Sequence, residues 1–163
     1  MSAEPDPQPT VLPFPPASPG KRFVGATVDG VLFALLALST ASGDVANPFG
    51  LALAWLLISA AYEIGLTATR GQTLGKLVAG TQVLDVSGQR LPTWWQASVR
   101  WFVQGVPNLI GLFVVSSAVD LVSLVWAVVI YLPIVRAVDH RGWHDHAAGT
   151  IVIDRRPSDP PAG

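Results

Sequence analysis

Two long apolar blocks dominate the hydrophobic pattern of this chain. They run from about residue 23 to 67 and from about 101 to 135, and neither contains a lysine or an arginine. A membrane-spanning helix needs about 20 consecutive apolar residues, so each block can hold two helices joined by a short turn. The pattern predicts an all-α membrane fold of two helical hairpins, with spans at about residues 23–41, 49–66, 97–115 and 118–135.

The polar stretches that follow the two hairpins carry similar, strand-like sequences. Residues 79–85 (Ala-Gly-Thr-Gln-Val-Leu-Asp) and 148–154 (Ala-Gly-Thr-Ile-Val-Ile-Asp) agree at five of seven positions. Chance is one explanation in so simple a composition. The other is that the chain holds two parallel copies of one unit, as some transporters do. On that second interpretation, we expect the two segments to pair as a small β cap on the cytoplasmic side.

Both ends of the chain have the composition of tails. Residues 1–20 hold seven prolines and no apolar run, which predicts a disordered, polyproline-like cytoplasmic tail rather than a signal peptide. Residues 155–163 are expected to form a second, short flexible tail. The membrane domain is therefore predicted to span residues 21–154.

Composition supports a membrane location and excludes several kinds of chemistry. Hydrophobic residues make up 50% of the chain and charged residues 13%, and the mean hydropathy is +0.46, which is unusual for a soluble domain. The absence of cysteine excludes disulfides, thiolate catalysis and cysteine-ligated metals. A net charge of −1 gives no reason to expect a nucleic-acid partner, whereas the lipid bilayer is an expected one.

The basic residues mark one side of the membrane. All ten lie outside the apolar blocks, in three groups: Lys21 and Arg22; Arg70, Lys76, Arg90 and Arg100; Arg136, Arg141, Arg155 and Arg156. Basic loops remain in the cytoplasm, so we expect both termini and the long central loop to be cytoplasmic. An odd number of spans would place the last group outside, and we reject it for that reason.

Ionisable side chains within the apolar helices are functional candidates, because a charge in the bilayer is costly. Asp29 lies about two turns into the first helix, on the same face as Arg22. Glu63 lies about one turn from the end of the second helix. These groups belong to one layer near the cytoplasmic boundary.

Arg100 begins the polar face of the third helix, which continues at Gln104 and Asn108. On a structural interpretation, Arg22 or Arg100 neutralises the two acids and locks the helices together. On a functional interpretation, the acids take up a proton or a cation, and the two amides line a path. Both interpretations stay open.

Three histidines near the C-terminal end are weak metal candidates. His140, His144 and His146 lie close to Asp139 and Asp145, and imidazole together with carboxylate suits zinc. The alternative is that Asp145 caps a short surface helix or pairs with Arg22 or Arg100, with His144 beside it.

No catalytic spacing such as Gly-x-Ser-x-Gly occurs. We therefore expect neither an enzyme nor a resident cofactor. Lipid or headgroup chemistry at Asp145 and His144 is the weakest alternative.

Several of these residues together resemble one family. The pieces are Arg22 and Asp29, the loop Gly-Gln-Thr-Leu-Gly-Lys at 71–76, Arg100, and His144-Asp145 before Gly149-Thr150. Over about residues 20–154 the combination resembles the RDD family of small bacterial integral membrane proteins. That family is named for one Arg and two Asp, which match Arg22, Asp29 and Asp145. The resemblance implies a bacterial cell membrane protein, and transport of ions or unidentified ligands is usually suggested for the family.

Two functions follow as hypotheses. In the first, the chain transports an ion or small solute, with Asp29 as the coupling site, Glu63 and Arg100 as its partners and Arg22 as a cytoplasmic gate. Four helices barely enclose a path, so a homo-oligomer is expected. In the second, the chain is a non-catalytic accessory or assembly subunit of a larger membrane complex. The charged layer is then structural, and the Pro-rich tail or a strand docks on a partner.

Overall fold

The computed structural model describes residues 14–40, 47–111 and 117–155, which form four long helices, two short helices and a two-stranded antiparallel sheet. The elements follow in the order α1 (Pro19–Thr40), α2 (Pro48–Arg70), α3 (Leu74–Ala79), β1 (Thr81–Asp85), α4 (Trp94–Gly111), α5 (Ser117–Arg136), α6 (Trp143–Ala148) and β2 (Thr150–Asp154).

The long helices lie where the apolar blocks predict helices. In α1 and α2, the segments Pro19–Ser39 and Phe49–Arg70 are long and apolar enough to cross a membrane. Almost none of their residues is buried inside the protein, which distinguishes them from the core helices of a soluble domain. In α5, Leu121–Arg136 is a shorter apolar stretch. The structure thus confirms a mostly helical fold with two candidate spans.

Local sequence sets where the helices begin. Asn47 caps α2 by accepting a hydrogen bond from the Gly50 N–H at 2.9 Å, and Pro48 follows at the first helical position, as helix starts prefer. At α4, Thr93 and Gln96 bond reciprocally, each side chain accepting from the other's backbone N–H at 3.2 and 2.9 Å. This capping box starts α4 at Trp94, three residues before the predicted start of the span.

The two similar segments form the sheet. β1 and β2 pair antiparallel with Val83 opposite Val152, which confirms the predicted pairing. Each strand follows a six-residue helix that ends at a glycine in the left-handed region, Gly80 at φ 70° and Gly149 at φ 61°, where a side chain would be strained. The repeated unit is therefore helix, glycine and strand, and a hairpin precedes each copy.

The chain before α1 belongs to the fold, which differs from the predicted tail boundary at residue 20. Pro16 bridges Ile153, the Ala17 N–H donates to the Val152 carbonyl at 2.8 Å, and the Pro15 carbonyl accepts from the Asp154 N–H at 2.9 Å. Proline lacks the backbone N–H that a central strand donates to its neighbour, but its carbonyl can still accept a hydrogen bond. It is therefore tolerated on the edge of a sheet. The remainder of the two predicted tails, residues 1–13 and 156–163, lies outside the described residues.

This fold buries charged side chains and exposes many large apolar ones, which is the reverse of the pattern in a soluble protein. The sheet packs small apolar clusters on its two faces, Ala17 with Val83 and Val152, and Leu84 with Ile151 and Ile153. Beside it, a group of charged or polar side chains is buried: Arg22, Asp29, Arg100, His144 and Asp145. Large apolar side chains of the long helices face outward, including Leu35, Leu38, Leu121 and Leu124, each more than 60% exposed. Lipid suits that outer surface.

Candidate functional site

Asp145 is the centre of the buried charge layer. Its Oδ1 pairs with Arg100 Nη1, and its Oδ2 pairs with Arg22 Nη2. The side chain of Asp145 is 0% exposed, and those of both arginines are 6% exposed. One carboxylate therefore joins α1, α4 and α6, and removing it would leave two guanidinium groups buried without a contacting counter-charge.

Asp145 also organises the short helix to which it belongs. It lies in the first turn of α6, where its Oδ2 accepts from the Gly142 N–H at 3.0 Å. The Thr150 hydroxyl lies 3.4 Å from Oδ1. A carboxylate at a helix start is favoured by the orphan N–H groups and the helix dipole. The sequence offered two roles for Asp145 other than binding a metal, namely capping a short helix or pairing with Arg22 or Arg100. The structure shows both.

Asp29 clamps three elements together through hydrogen bonds. It accepts from the Tyr62 hydroxyl of α2 at 2.7 Å, from the Thr73 hydroxyl at 2.5 Å and from the Gly75 N–H of α3 at 2.8 Å. α3 can approach this closely because Gly75 has no side chain: a Cβ there would lie 2.7 Å from Asp29 Cγ and clash with the Gly25 carbonyl.

On the structural interpretation, Arg22 or Arg100 would neutralise Asp29 and Glu63, and the structure contradicts that pairing. Arg22 and Arg100 both contact Asp145 rather than either helix acid. The physical reason is that α6, which no apolar pattern marks, brings a carboxylate between the two guanidinium groups. Glu63 is partly buried, and its side chain makes no hydrogen bond or ion pair within the described ranges.

The polar face of α4 is partly as predicted. Gln104 Nε2 donates to the Tyr131 hydroxyl at 3.0 Å, which links α4 to α5. The side chain of Asn108 lies outside the described part of the structure. Only Gln104 can therefore be placed in the layer.

A cavity of about 30 Å³ lies beside the arginines. Its lining comes from six elements: Arg22, Ala26, Lys76, Thr81, Arg100, Gln104, Tyr131 and Val152. Lys76 and Tyr131 were not among the predicted site residues. Lys76 belongs to the segment 71–76, which the sequence suggested was a loop, whereas the structure places Lys76 in α3. Tyr131 lies in a long apolar helix, where nothing in the sequence pattern marks it as functional.

Lys76 is held at the cavity by α3. Its Nζ lies 3.2 Å from the Thr73 hydroxyl. Burial lowers the pKa of the Lys76 ammonium; the charge of Glu63 opposes this shift and that of Arg100 adds to it. Lys76 thus has a hydroxyl partner rather than a contacting carboxylate, which leaves donor capacity toward the cavity.

The three histidines do not converge. His140 Nδ1 lies 2.8 Å from the Ile134 carbonyl oxygen, His146 is exposed, and His144 is fully buried with its ring centroid 5.1 Å from that of Tyr131. Among the described residues, no group of three or more His, Cys, Asp or Glu side chains could hold a metal ion.

His144 is held neutral. Neither ring nitrogen has a hydrogen-bond partner within the described residues. Burial lowers the pKa of His144 well below its ordinary range, and the positive charges of Arg100 and Arg22 lower it further. The ring therefore packs as a neutral aromatic group beside the charged layer.

One of the comparisons with known proteins gives a match. A family model described as the RDD family matches residues 16–149. Comparisons with curated proteins and with solved structures give no match. The matched region holds α1 to α6 together with Arg22, Asp29, Arg100 and Asp145. Since it covers more than half of the chain, this protein belongs to the RDD family.

Proposed function

We propose that the protein spans the bacterial cell membrane four times, with α1, α2, α4 and α5 as spans and both termini in the cytoplasm. The charge pattern supports this proposal, because each hairpin returns the chain to the end where Arg22, Arg100 and Asp145 meet. The exposed apolar face of α5, where Leu121 and Leu124 are 63% and 64% exposed, fits contact with lipid.

The protein's proposed activity is transport of an ion or small solute, in a homo-oligomer. The observation that carries this proposal is the small polar cavity between the helices and the sheet, lined by Arg22, Lys76, Arg100 and Gln104, in a protein whose long helices have an apolar outer surface. A polar, ionisable site inside a membrane bundle marks a solute or ion path in many membrane proteins.

The proposed coupling acid is Glu63 rather than Asp29. Asp29 already accepts three hydrogen bonds that hold α1, α2 and α3 together, so a change in its protonation would loosen the fold. Glu63 has no such bonds within the described residues, and its charge acts on Lys76 at the cavity. Glu63 can therefore bind or release a proton without breaking a contact that holds the fold together.

A flux assay in liposomes tests the transport role. Purified protein is reconstituted with a pH-sensitive dye inside, and gradients of Na⁺, K⁺ or Cl⁻ are imposed in turn. We expect a dye response that Glu63→Gln reduces at least about tenfold, while Asp139→Asn, at a loop carboxylate that is 42% exposed, leaves it unchanged. A response equal to that of protein-free liposomes under every gradient would reject proton-coupled transport of these ions.

A second candidate function is an accessory or assembly subunit of a larger membrane complex. The carboxylates of Asp29 and Asp145 favour this second function, because their hydrogen bonds and ion pairs hold helices together. Gentle extraction from native membranes and mass measurement of the intact particle separate the candidates. Copies of this chain alone support transport, whereas a fixed set of other subunits supports the accessory role.

A further inference from the structure

We infer that the cavity lined by Arg22, Lys76 and Arg100 binds a small inorganic anion of halide size. This inference deepens the proposed transport function, on which it rests for its physiological meaning, because it names the class of ion. The site itself follows from the charge, the hydrogen-bond donors and the size of the cavity.

The charge around the cavity is unbalanced at contact distance. Three of its lining residues are cationic and none is acidic. Asp145 contacts Arg22 and Arg100, so one carboxylate faces two guanidinium groups. Lys76 adds a third positive charge whose hydrogen-bond partner is the Thr73 hydroxyl. Buried charges require counter-charges nearby, and an anion in the cavity would supply one.

The other acids of the layer do not fill this role. Asp29 is engaged by Tyr62, Thr73 and Gly75, and neither Asp29 nor Glu63 forms an ion pair within the described residues. Both act on the Lys76 ammonium only through space. The side of the cations that faces the cavity is therefore left without a carboxylate in contact.

The donors that face the cavity suit an anion. Guanidinium and ammonium groups donate and cannot accept. The Tyr131 hydroxyl accepts from Gln104 at 3.0 Å, which leaves its own O–H to donate. A cation would meet like charge at this site, and a neutral solute would leave the charge imbalance in place.

The size of the cavity selects among anions. Its volume is about 30 Å³, and a cavity needs about 10–15 Å³ to hold one water molecule. The space therefore holds about two waters or one chloride or bromide ion. Phosphate and larger organic anions, including a lipid headgroup, need more space than this, so phosphate serves as the size control in the test.

Thermal unfolding of the detergent-solubilised full chain tests the site. The sodium salts of chloride, bromide, gluconate and phosphate are compared at equal ionic strength and constant pH. We expect Tm to rise by about 3 °C for each tenfold increase in halide above its dissociation constant. Gluconate and phosphate should give no such rise. Equal effects of all four salts would overturn the inference.

A matched pair of variants locates the effect. Lys76→Met should abolish the halide dependence, whereas Arg70→Met, at an exposed position near the end of α2, should retain it. If Lys76→Met does not fold, the wild-type protein gives the second measurement: broadening of the ³⁵Cl resonance that bromide reverses. Retained dependence in Lys76→Met, or no broadening, would reject the site.

The two proposals fail separately. Halide-dependent Tm without flux in liposomes would preserve the anion site and reject transport. Flux without halide-dependent Tm or ³⁵Cl broadening would preserve transport and reject the anion site.

Discussion

At Asp145 a single carboxylate lies between two guanidinium groups that come from helices far apart in the sequence. Arg22 also donates to the carbonyl of His140, and Arg141 donates to the carbonyls of Asp145 and Thr150 at 3.3 and 2.9 Å. Buried ion pairs contribute little net stability compared with apolar packing, but breaking one from one side is costly. Asp145 is therefore a position where loss of charge alone should matter.

Asp145→Asn tests that cost at nearly constant shape. We expect it to lower the free energy of unfolding by about 3–5 kcal/mol, since it leaves two buried cations without their contacting carboxylate. The matched control is Asp139→Asn, which removes a carboxylate that is 42% exposed and 3.8 Å from Arg141 and should cost at most about 1 kcal/mol. Chemical unfolding in detergent compares the two, and equal losses would contradict the central role of Asp145.

His144 should make stability depend on pH. Its pKa is lowered in the folded protein, so below about pH 6.5, the ordinary histidine pKa, the unfolded chain binds a proton that the folded chain does not. Stability should then fall as the pH decreases, by up to about 1.4 kcal/mol per pH unit, until the pH reaches the lowered folded-state pKa.

Unfolding measured between pH 7.5 and 5 in wild type and His144→Phe isolates this contribution. The variant keeps a ring beside Tyr131 and should show the weaker pH dependence. The exposed His146 provides the control, as His146→Gln should follow wild type. Parallel curves for wild type and His144→Phe would show that the ring is not held neutral.

Single residues of the site were predictable where they break an apolar pattern. Arg22, Asp29 and Arg100 stand out because charge is rare in such helices, and the structure buries all three. Their partners were predictable only in part: Asp145 was one candidate partner of Arg22 or Arg100. Helix periodicity relates residues within one helix, so it could not choose Asp145 over the acids of α1 and α2. Lys76 was missed for the same reason, since its position depends on how closely α3 packs on α1.

Between elements, α1 and α3 approach each other closely. Gly25 and Gly75 face each other there, and a Cβ on Gly25 would lie 3.3 Å from the Gly75 carbonyl oxygen. This approach lets the first turn of α3 reach Asp29. It also brings Lys76 to the cavity, so packing between these helices determines the geometry of the site.

Gly75→Ala should separate these helices. A methyl group would meet Asp29 Cγ and the Gly25 carbonyl, and overpacking of this kind costs about 1–3 kcal/mol. Gly30→Ala is the matched control in α1, because no atom lies within 4 Å of its added Cβ. Its stability should be unchanged or slightly raised. Thermal unfolding measures both, and a tolerated Gly75→Ala would show that the helices can shift apart without loss.

The elements themselves divide into those that sequence pattern reveals and those that it does not. Long apolar runs predict the long helices, and the repeated Ala-Gly-Thr segments predict β1 and β2. α3 has only six residues, too few for a helical period to show, and depends on its caps and on Asp29. The pairing of Pro15 to Ala17 with β2 was hidden by proline-rich composition, which normally indicates a tail.

On the scale of the whole molecule, the charged layer and the sheet lie at one end of the long helices. Two units of hairpin, short helix and strand meet there, and their strands pair directly. Charge inside and apolar side chains outside are consistent with a bilayer around the helices, and the proposed orientation places the sheet in the cytoplasm. The number of spans is the part of this arrangement that labelling can decide.

Single cysteines in this cysteine-free chain test the topology. With four spans, the turns after α1 and α4 both face outward, so Ser42→Cys and Ser116→Cys should react with a membrane-impermeant maleimide in intact cells. Gln89→Cys, in the exposed loop between β1 and α4, should react only after permeabilisation. If α1 and α2 alone cross the membrane, Ser42→Cys reacts from outside while Ser116→Cys behaves like Gln89→Cys. Four spans require the two hairpin turns to label alike, because each hairpin must return the chain to the side where Arg22, Arg100 and Asp145 meet.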